Sequence, residues 1–417
     1  MLQTQAPQTS TSGQDQPFAE FVALIAAMMA LTALSVDIML PALNQIGGDL
    51  GLAADNDRQL VIIIYLAGFA AGQIVFGPLS DRFGRKRPLY VGLAIYAAAS
   101  VAAILTDSAT ALFVARAVQG FGAAAPRIIA IAIVRDRFAG RGMARVMSFV
   151  MMVFVIMPIL APTLGQGVMQ VGPWRAIFAI LLFVALLILA WAALRLMETH
   201  PAERRLLISP RRLLGAMMTV FTTRQTVGYA IGFGFFFGVL MSYIASAEQV
   251  FVDVYGLGTS FPLVFGAIGS VMVLASVTNA RLVGRLGMRR VSHTALLAFL
   301  CVCGVMALAG YPDKPPLIWF CLFIACTFFC FGLIGPNFNA LAMEPVGHIA
   351  GMASSFVGFY TTGAGALFGF LVGQLFDGTV RPLTIGFTVL GLGALLAVLI
   401  TERGRLARPQ HLPVPGE

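Results

Sequence analysis

The sequence predicts an all-α membrane protein with twelve transmembrane helices in two six-helix bundles. Of its 417 residues, 59% are hydrophobic and only 11% are charged, a composition typical of integral membrane proteins. A membrane span needs roughly 20 mostly apolar residues, and the chain contains about twelve such runs. The runs lie near 19–43, 58–78, 88–105, 110–134, 145–169, 176–196, 226–248, 261–284, 291–310, 316–336, 349–376 and 382–401.

Arginine and lysine residues are concentrated in alternate loops. The even-numbered loops hold most of them, whereas the odd-numbered loops carry almost only Arg58, Arg175, Lys314 and Arg381. Since cations beside membrane spans stay on the cytoplasmic side, the pattern predicts a multi-pass protein of the inner (cytoplasmic) membrane with both termini in the cytoplasm. The net charge of +9 therefore indicates contact with the lipid bilayer, because a nucleic-acid surface would gather its cations on one soluble face.

The longest connection between apolar runs, at 197–224, separates six runs from six. It is basic and partly amphipathic, as suits a segment at the membrane surface. The predicted domains are a disordered cytoplasmic tail at 1–18, an N-terminal six-helix bundle at 19–196, a central cytoplasmic linker at 197–225, a C-terminal six-helix bundle at 226–401 and a cytoplasmic tail at 402–417.

The second half of the chain repeats a loop of the first half. Residues 284–290 align with residues 81–87 at an offset of 284 − 81 = 203, close to half the chain, which indicates an internal repeat. Gly284 stands where the first loop has Asp81. Any latch that depends on charge is therefore expected mainly in the first half.

The loop 77–88 carries four cations and one acid between the second and third runs. It reads Gly-Pro-Leu-Ser-Asp-Arg-Phe-Gly-Arg-Lys-Arg-Pro and resembles the signature loop of the major facilitator superfamily, Gly-x-x-x-Asp-Arg-x-Gly-Arg-Arg. An ordinary stop-transfer loop would need the charges but not this spacing of aspartate and glycine. The resemblance implies a gating motif at Gly77, Asp81, Arg82, Gly84, Arg85 and Asp136. It also implies that Asp81 lies against the amino end of the eleventh span, where the helix dipole favours an acid.

Asp37 lies near the outer end of the first run, in Leu-Ser-Val-Asp-Ile-Met-Leu-Pro. This stretch resembles the first-span motif of proton-coupled drug exporters, whose aspartate contributes to proton or cation handling; a solvated interfacial aspartate is the alternative. Arg116 begins Arg-Ala-Val-Gln-Gly, similar to the family's fourth-span motif, Arg-x-x-Gln-Gly. The resemblance implies that Asp37 and Arg116 are proton-coupling residues, with a purely structural hydrogen-bonding role as the alternative for Arg116.

The fifth run contains Pro158, Pro162 and Gly165. These residues resemble the helix-bending element of the antiporter branch, Gly-Pro-x-x-Gly-Gly, in which prolines and small residues permit bending and close helix approach. The match is partial, because Ala161 replaces the first glycine and Gln166 follows Gly165.

Two further segments, 332–345 and 347–355, resemble the Bcr/CflA-type multidrug efflux transporters, as does Arg-Asp-Arg-Phe at 135–138. This resemblance covers nearly the whole chain. Aromatic and polar side chains in the runs suit a cavity for amphipathic substrates, with packing or lipid contact as the alternative. The cavity candidates are Tyr65, Arg127, Phe236, Tyr243, Asn337 and Tyr360. Glu248 and Asp253, at the end of the seventh run, either gate the protein or mark the membrane interface.

These observations predict a proton-coupled secondary transporter that exports small amphipathic compounds or drugs by alternating access. A proton-linked or facilitative importer of a small organic acid or other nutrient is one alternative, and a non-transporting membrane receptor is another. An enzyme is not expected, because the sequence has no nucleophile elbow, phosphate loop or zinc-spaced cluster. We expect a monomer without catalytic residues, metal or cofactor, whose partners are a small-molecule substrate and protons.

Overall fold

The structure of the chain is a computed structural model that describes residues 17–138, 140–205 and 210–407. Most of the two predicted tails, 1–16 and 408–417, lies outside the described residues. The α-helices in the described part are α1 Phe18–Asp37, α2 Leu43–Asp49, α3 Leu60–Phe83, α4 Lys86–Leu105, α5 Ala109–Arg137, α6 Gly140–Val171, α7 Arg175–Arg195, α8 Pro210–Thr222, α9 Arg224–Glu248, α10 Phe261–Leu286, α11 Met288–Leu308, α12 Leu317–Met343, α13 Ala350–Gln374 and α14 Arg381–Thr401.

The predicted all-helical membrane fold is confirmed. Eleven helical segments among the described residues are long and apolar enough to cross a membrane, and α6 covers the remaining predicted span, 145–169. No β-strand occurs in the part of the chain that the structure describes. We call the end of the bundle that carries Arg85 the Arg85 end, and the opposite end, which carries Arg58, the Arg58 end.

The long helices form two bundles. In the first, α3 and α4 pack along α5, and α1 packs along α6; in the second, α9 packs against α12, α13 and α14. The bundles meet where α3 lies along α13 and where α6 crosses α10. The exact boundaries of the predicted domains stay predictions.

Glycines let α3 and α5 approach backbone to backbone. A Cβ atom on Gly68 would lie 1.9 Å from the carbonyl oxygen of Ala117, and one on Gly120 would lie 1.9 Å from that of Tyr65. Only glycine fits at such a crossing, as in other close helix contacts within membranes. The crossing brings the α3 residue Tyr65 against the α5 residue Arg116.

The predicted linker 197–225 contains helical structure. A short 3₁₀ turn occupies Ala202–Arg204, and α8 follows it. On α8, Val220 is buried together with Val346, Ala353 and Phe356 of the second bundle. The linker is therefore packed against the second bundle in addition to connecting the two halves.

Candidate functional site

Asp37 is the last residue of α1, and it is buried with 3% of its surface exposed. After it the chain turns through the short 3₁₀ helix Leu40–Ala42, which contains Pro41. Among the described residues, no hydrogen-bond partner reaches its Oδ1 atom. Burial of a charged carboxylate without partners is costly, so this site suits a group that binds a proton or a cationic ligand.

Two buried tyrosines of different bundles lie on helices next to Asp37. Tyr65 of α3 stacks on Arg116, which donates to the Ser35 carbonyl two residues before Asp37, and Tyr243 belongs to α9, which contacts the turn Leu40–Ala42 after Asp37. Each tyrosine is almost fully buried. The Tyr65 hydroxyl interacts with Ser35, whereas the Tyr243 hydroxyl has no hydrogen-bond partner among the described residues. Two buried polar groups without a partner, on Asp37 and Tyr243, therefore lie where the first bundle meets the second.

Arg116 is completely buried, and its guanidinium is held inside the first bundle. Its Nε donates to the Val61 carbonyl at 2.8 Å, and its Nη1 and Nη2 donate to Gln119 Oε1 at 2.7 Å and to the Ser35 carbonyl at 3.1 Å. The guanidinium also stacks over the Tyr65 ring, 4.4 Å from its centre.

The structure does not join Asp37 and Arg116 directly. No ion pair within 4.0 Å connects these two described residues. The physical reason is that backbone carbonyls of α1 and α3 take up donors of Arg116. Its fixed geometry is that of a cation that positions Tyr65 and ties three helices together.

Two other cavity candidates, Arg127 and Phe236, lie in different surroundings. Arg127 lies over the Phe69 ring of α3, 5.5 Å from its centre. Phe236, in contrast, is completely buried among rings of its own bundle, 4.8 Å from Phe299 and 5.6 Å from Phe331. The structure therefore places Phe236 in the packed core of the second bundle; its role in a cavity stays a prediction.

Asn337 and Tyr360 also make contacts inside the second bundle. Asn337 of α12 donates to Asn279 Oδ1 of α10 at 2.7 Å. Tyr360 of α13 is half-buried, and its ring lies 2.9 Å from where a Cβ on Gly234 of α9 would be. The structure thus places Tyr65 and Tyr243 on helices next to Asp37, with Tyr243 packed on Phe328 and Phe265 of its own bundle, and engages Asn337 and Tyr360 with neighbouring helices.

Gly165 sits where α6 crosses the chain directly after Asp37. Pro158 and Pro162 lie inside α6, and a Cβ on Gly165 would lie 2.2 Å from the carbonyl oxygen of Ile38. On the same helix, the Ile159 carbonyl lies 3.1 Å from a Cβ built on Gly266 of α10. The helix with the two prolines therefore contacts both the Asp37 region and the second bundle.

The predicted gating motif forms a charge network at the Arg85 end. Arg85 is buried and donates to Asp81 Oδ1 at 2.7 Å, to Asp136 Oδ2 at 2.7 Å and to Ser80 Oγ at 2.9 Å. The Arg82 guanidinium lies 5.2 Å from the centre of the Phe83 ring. The network links α3 to the end of α5.

This network lies against α13 of the second bundle. Asp81 Oδ2 is 3.8 Å from where a Cβ on Gly351, in the first turn of α13, would be. A Cβ on Gly77 would lie 2.3 Å from Ser355 Oγ. A side chain at position 77 would therefore displace the Ser355 hydroxyl at the contact between α3 and α13.

Glu198 is a part of this site that sequence reasoning missed. Its carboxylate accepts hydrogen bonds from the backbone N–H groups of Arg85 at 2.8 Å and Lys86 at 3.2 Å. Partial removal from water opposes its ionisation, but hydrogen bonds from the N–H groups of Arg85, His200 and Lys86, together with nearby Arg205, hold the pKa of Glu198 below its usual value. It caps the start of α4, as acids do at helix amino ends.

The Arg58 end is closed by polar contacts between the bundles. Arg58 lies 3.4 Å from Glu248 Oε2 and donates to Asp253. Gln59 donates to Gln249 beside this pair. The sequence left open whether the acids gate the protein or mark the interface, and the structure pairs them with the opposite bundle.

Within residues 17–138, 140–205 and 210–407, no group of three or more His, Cys, Asp or Glu side chains is placed to hold a metal ion. The free cysteines are Cys301, Cys303, Cys321, Cys326 and Cys330, which all lie on α11 and α12.

Comparisons with known proteins agree with this architecture. A family model described as Major Facilitator Superfamily matches residues 22–369. YdgK of Bacillus subtilis, an uncharacterized MFS-type transporter, is 30% identical over 390 residues, which are 91% of this chain and 94% of that protein. A bicyclomycin resistance protein homolog of Haemophilus influenzae is 28% identical over 93% of this chain and 98% of its own length.

One further relative and one solved structure are similar over most of the chain. The multidrug resistance protein MdtL of Escherichia coli is 26% identical over 91% of this chain and 95% of its own length. Among solved structures, the human organic anion transporter MFSD10 (TETRAN) superposes with a TM-score of 0.67 over 93% of this chain and 100% of that chain, at 16% identity. At that identity the likeness concerns the fold alone.

Proposed function

This chain belongs to the Major Facilitator Superfamily, and on that premise we propose that it is a proton-coupled secondary transporter that exports small amphipathic compounds by alternating access. Relatives over nearly the whole chain carry the names bicyclomycin resistance protein homolog and multidrug resistance protein. Those names support drug-like compounds as the substrate class of this chain.

The observation that carries the proposal is the Asp37 carboxyl, buried at the junction of the bundles with an oxygen that no described residue hydrogen-bonds. Ionisable groups inside a membrane protein are costly and commonly mark ion or proton pathways. A proton on Asp37 neutralises the carboxyl, and loss of the proton leaves a carboxylate that attracts a cationic or hydrogen-bonding substrate. Exposure of this group to one side of the membrane and then to the other exchanges the proton for the compound.

Arg116 acts in this proposal as a positioning residue. It holds the backbone of α1 and α3 and stacks on Tyr65, a cation–π contact worth about 2 kcal/mol when desolvated. Import of an organic acid is less well supported, because an anion at Arg116 would compete with three existing hydrogen bonds. The human organic anion transporter shares the fold only, so its substrates do not extend to this chain.

We place the protein in a bacterial-type cytoplasmic membrane, with the Arg85 end and both termini on the cytoplasmic side. The concentration of arginine and lysine in the even-numbered loops supports this orientation. Labelling of single cysteines at Ala53 and Glu203 in intact cells checks it, because Ala53 alone should react with an impermeant reagent.

Accumulation of a cationic dye by energised cells tests the direction of transport. Cells that express the protein should hold less dye than cells without it, and an uncoupler that abolishes the proton gradient should remove the difference. Higher accumulation in expressing cells would indicate an importer, and equal accumulation with any dye tested would favour a receptor. Either result would contradict the proposal.

A further inference from the structure

The Arg58 end joins one cation of the first bundle to two acids of the second. Arg58 precedes α3, Glu248 is the last residue of α9, and Asp253 lies in the π-helical turn Gln249–Val254 that follows. Arg58 also donates to Asn44 at 3.1 Å. Within the described residues, Arg58 is the only cation within 4.0 Å of either acid.

The two acids have different surroundings. The Asp253 side chain is 39% exposed and accepts a hydrogen bond from Arg58. The Glu248 side chain is 3% exposed, and among the described residues no donor forms a hydrogen bond with its Oε2 atom. Water can therefore solvate the charge of Asp253 much better than that of Glu248.

One cation cannot neutralise two carboxylates. With both acids ionised, the closed cluster would carry a net charge of −1, and the more buried of the two carboxylates, that of Glu248, would lack a hydrogen bond at Oε2. Burial of a charge is costly unless it is paired and hydrogen-bonded. A proton on Glu248 removes this cost, whereas the exposed Asp253 remains paired with Arg58.

We propose that Glu248 is a second proton-binding residue, which takes up a proton when the Arg58 end closes and releases it when that end opens. The inference rests on the proposed exchange of protons for substrate and adds a site in the second bundle to the one at Asp37. The charged groups that face Glu248 are Arg58 from the turn Asp55–Gln59 and Asp253 from its own bundle. Gln59 and Gln249, both uncharged, complete the contact between the bundles.

Glu248 takes up and returns its proton at the same end, so it carries no proton across the membrane; it favours closure of that end, and this bias fits export driven through Asp37. If the Arg58 end faces outward, a protein that has released its compound there stands open with Glu248 accessible to water. Proton binding then favours closure of that end, and closure returns the protein to the state that loads substrate. Acid on the outer side therefore favours the closed form by mass action.

A distance measurement between spin labels tests the proposal without transport. The labels are placed at Ala53→Cys and Thr259→Cys, two exposed positions of different bundles at the Arg58 end, in the full chain without its five native cysteines and in lipid nanodiscs. As the pH falls from about 8 to about 5, the short-distance population should grow, by up to tenfold in the closed-to-open ratio per pH unit for one proton. E248Q should show the short distance across the whole range.

Two control variants assign the response to Glu248. Asp313 lies at the same end, is 66% exposed and pairs with Arg381 of its own bundle at 4.0 Å, so D313N should respond to pH as the unmodified protein does. D37N should also keep the response. The proposal is overturned if the unmodified protein shows no pH response, if E248Q responds normally, or if D37N abolishes the response. If the unmodified protein shows the pH response but does not exchange protons for substrate, the result contradicts the proposed function and leaves the proposal for Glu248 standing.

Discussion

The loop 81–87 of the first bundle and its repeat 284–290 in the second have the same glycine conformation but different charge partners. Gly84 has φ 87° and ψ 175°, and Gly287 has φ 81° and ψ 156°, a region that is open essentially to glycine alone. In the first loop Arg85 pairs with Asp81 and Asp136. In the second, Met288 follows the glycine, and Arg289 pairs with Glu402 after α14 at 3.0 Å.

The two loops therefore share a glycine conformation but differ in the electrostatic contacts that they make. Both loops need glycine to reverse direction between two helices. In the first loop Asp81 lies against α13 of the opposite bundle, so its charges sit where the two bundles meet. The second loop ties α11 to the end of its own bundle, and we infer that it stabilises that bundle without controlling the exchange between conformations.

Replacement of Arg85 by methionine, the residue at the equivalent position 288 of the repeat, should reduce the stability of the protein most. R85M removes the cation that Asp81 and Asp136 share. Loss of one partner costs about 3–5 kcal/mol where the remaining charge is fully buried, and less is expected here because Asp136 keeps its hydrogen bond from Thr199. The control is R285M, because Arg285 is exposed and exposed substitutions usually change stability by less than about 0.5 kcal/mol. Thermal unfolding in detergent should separate the variants clearly. Equal unfolding temperatures would remove the distinction between the two loops.

The paired substitutions G84A and G287A should give a smaller difference. Both force alanine into the same unfavourable backbone region, so that strain cancels in the comparison. Only at position 84 does the new Cβ meet another group, 2.6 Å from Glu198 Oε2, whereas nothing lies within 4 Å at position 287. Displacement of Glu198 from its N–H donors should make G84A less stable than G287A by about 1–2 kcal/mol.

The stability difference between G84A and G287A should depend on pH. Because the folded protein holds the pKa of Glu198 below its usual value, its stabilising contribution is fully present above the unfolded pKa of about 4.3. It is lost as the pH falls through the lower, folded value. The difference between G84A and G287A should therefore shrink in acid, and a difference that is constant from neutral to acid pH would exclude Glu198 as its cause.

The sequence predicted the helices, the repeat and the family resemblance because each leaves a local pattern. Apolar runs of membrane length, glycines at fixed offsets and alternating basic loops need no knowledge of tertiary contacts. The comparisons confirm the resemblance to the major facilitator superfamily. The contact of Asp81 with the start of α13 also lies where the resemblance implied.

Other parts of the site depend on tertiary contacts that local sequence patterns do not predict. Arg116 is held by the backbone carbonyls of Val61 and Ser35, and a carbonyl acceptor leaves no trace in residue type. Phe236 is enclosed by Phe299 and Phe331 from other helices, so the direction of its side chain could be determined only from the packed bundle. Glu198 gave only a weak signal, an acid in a basic linker, and its role appeared when its carboxylate met the first turn of α4.

The measurement that tests the central claim most directly is substrate flux into reconstituted vesicles under an imposed pH gradient, compared between the unmodified protein and D37N. If Asp37 exchanges its proton in each cycle, D37N should still bind substrate but lose gradient-driven flux. D107N is the control, since Asp107 is an exposed acid of the same bundle that pairs with Arg175 at 2.5 Å, and it should transport normally. Transport by D37N at the unmodified rate and with the same proton dependence would contradict the account.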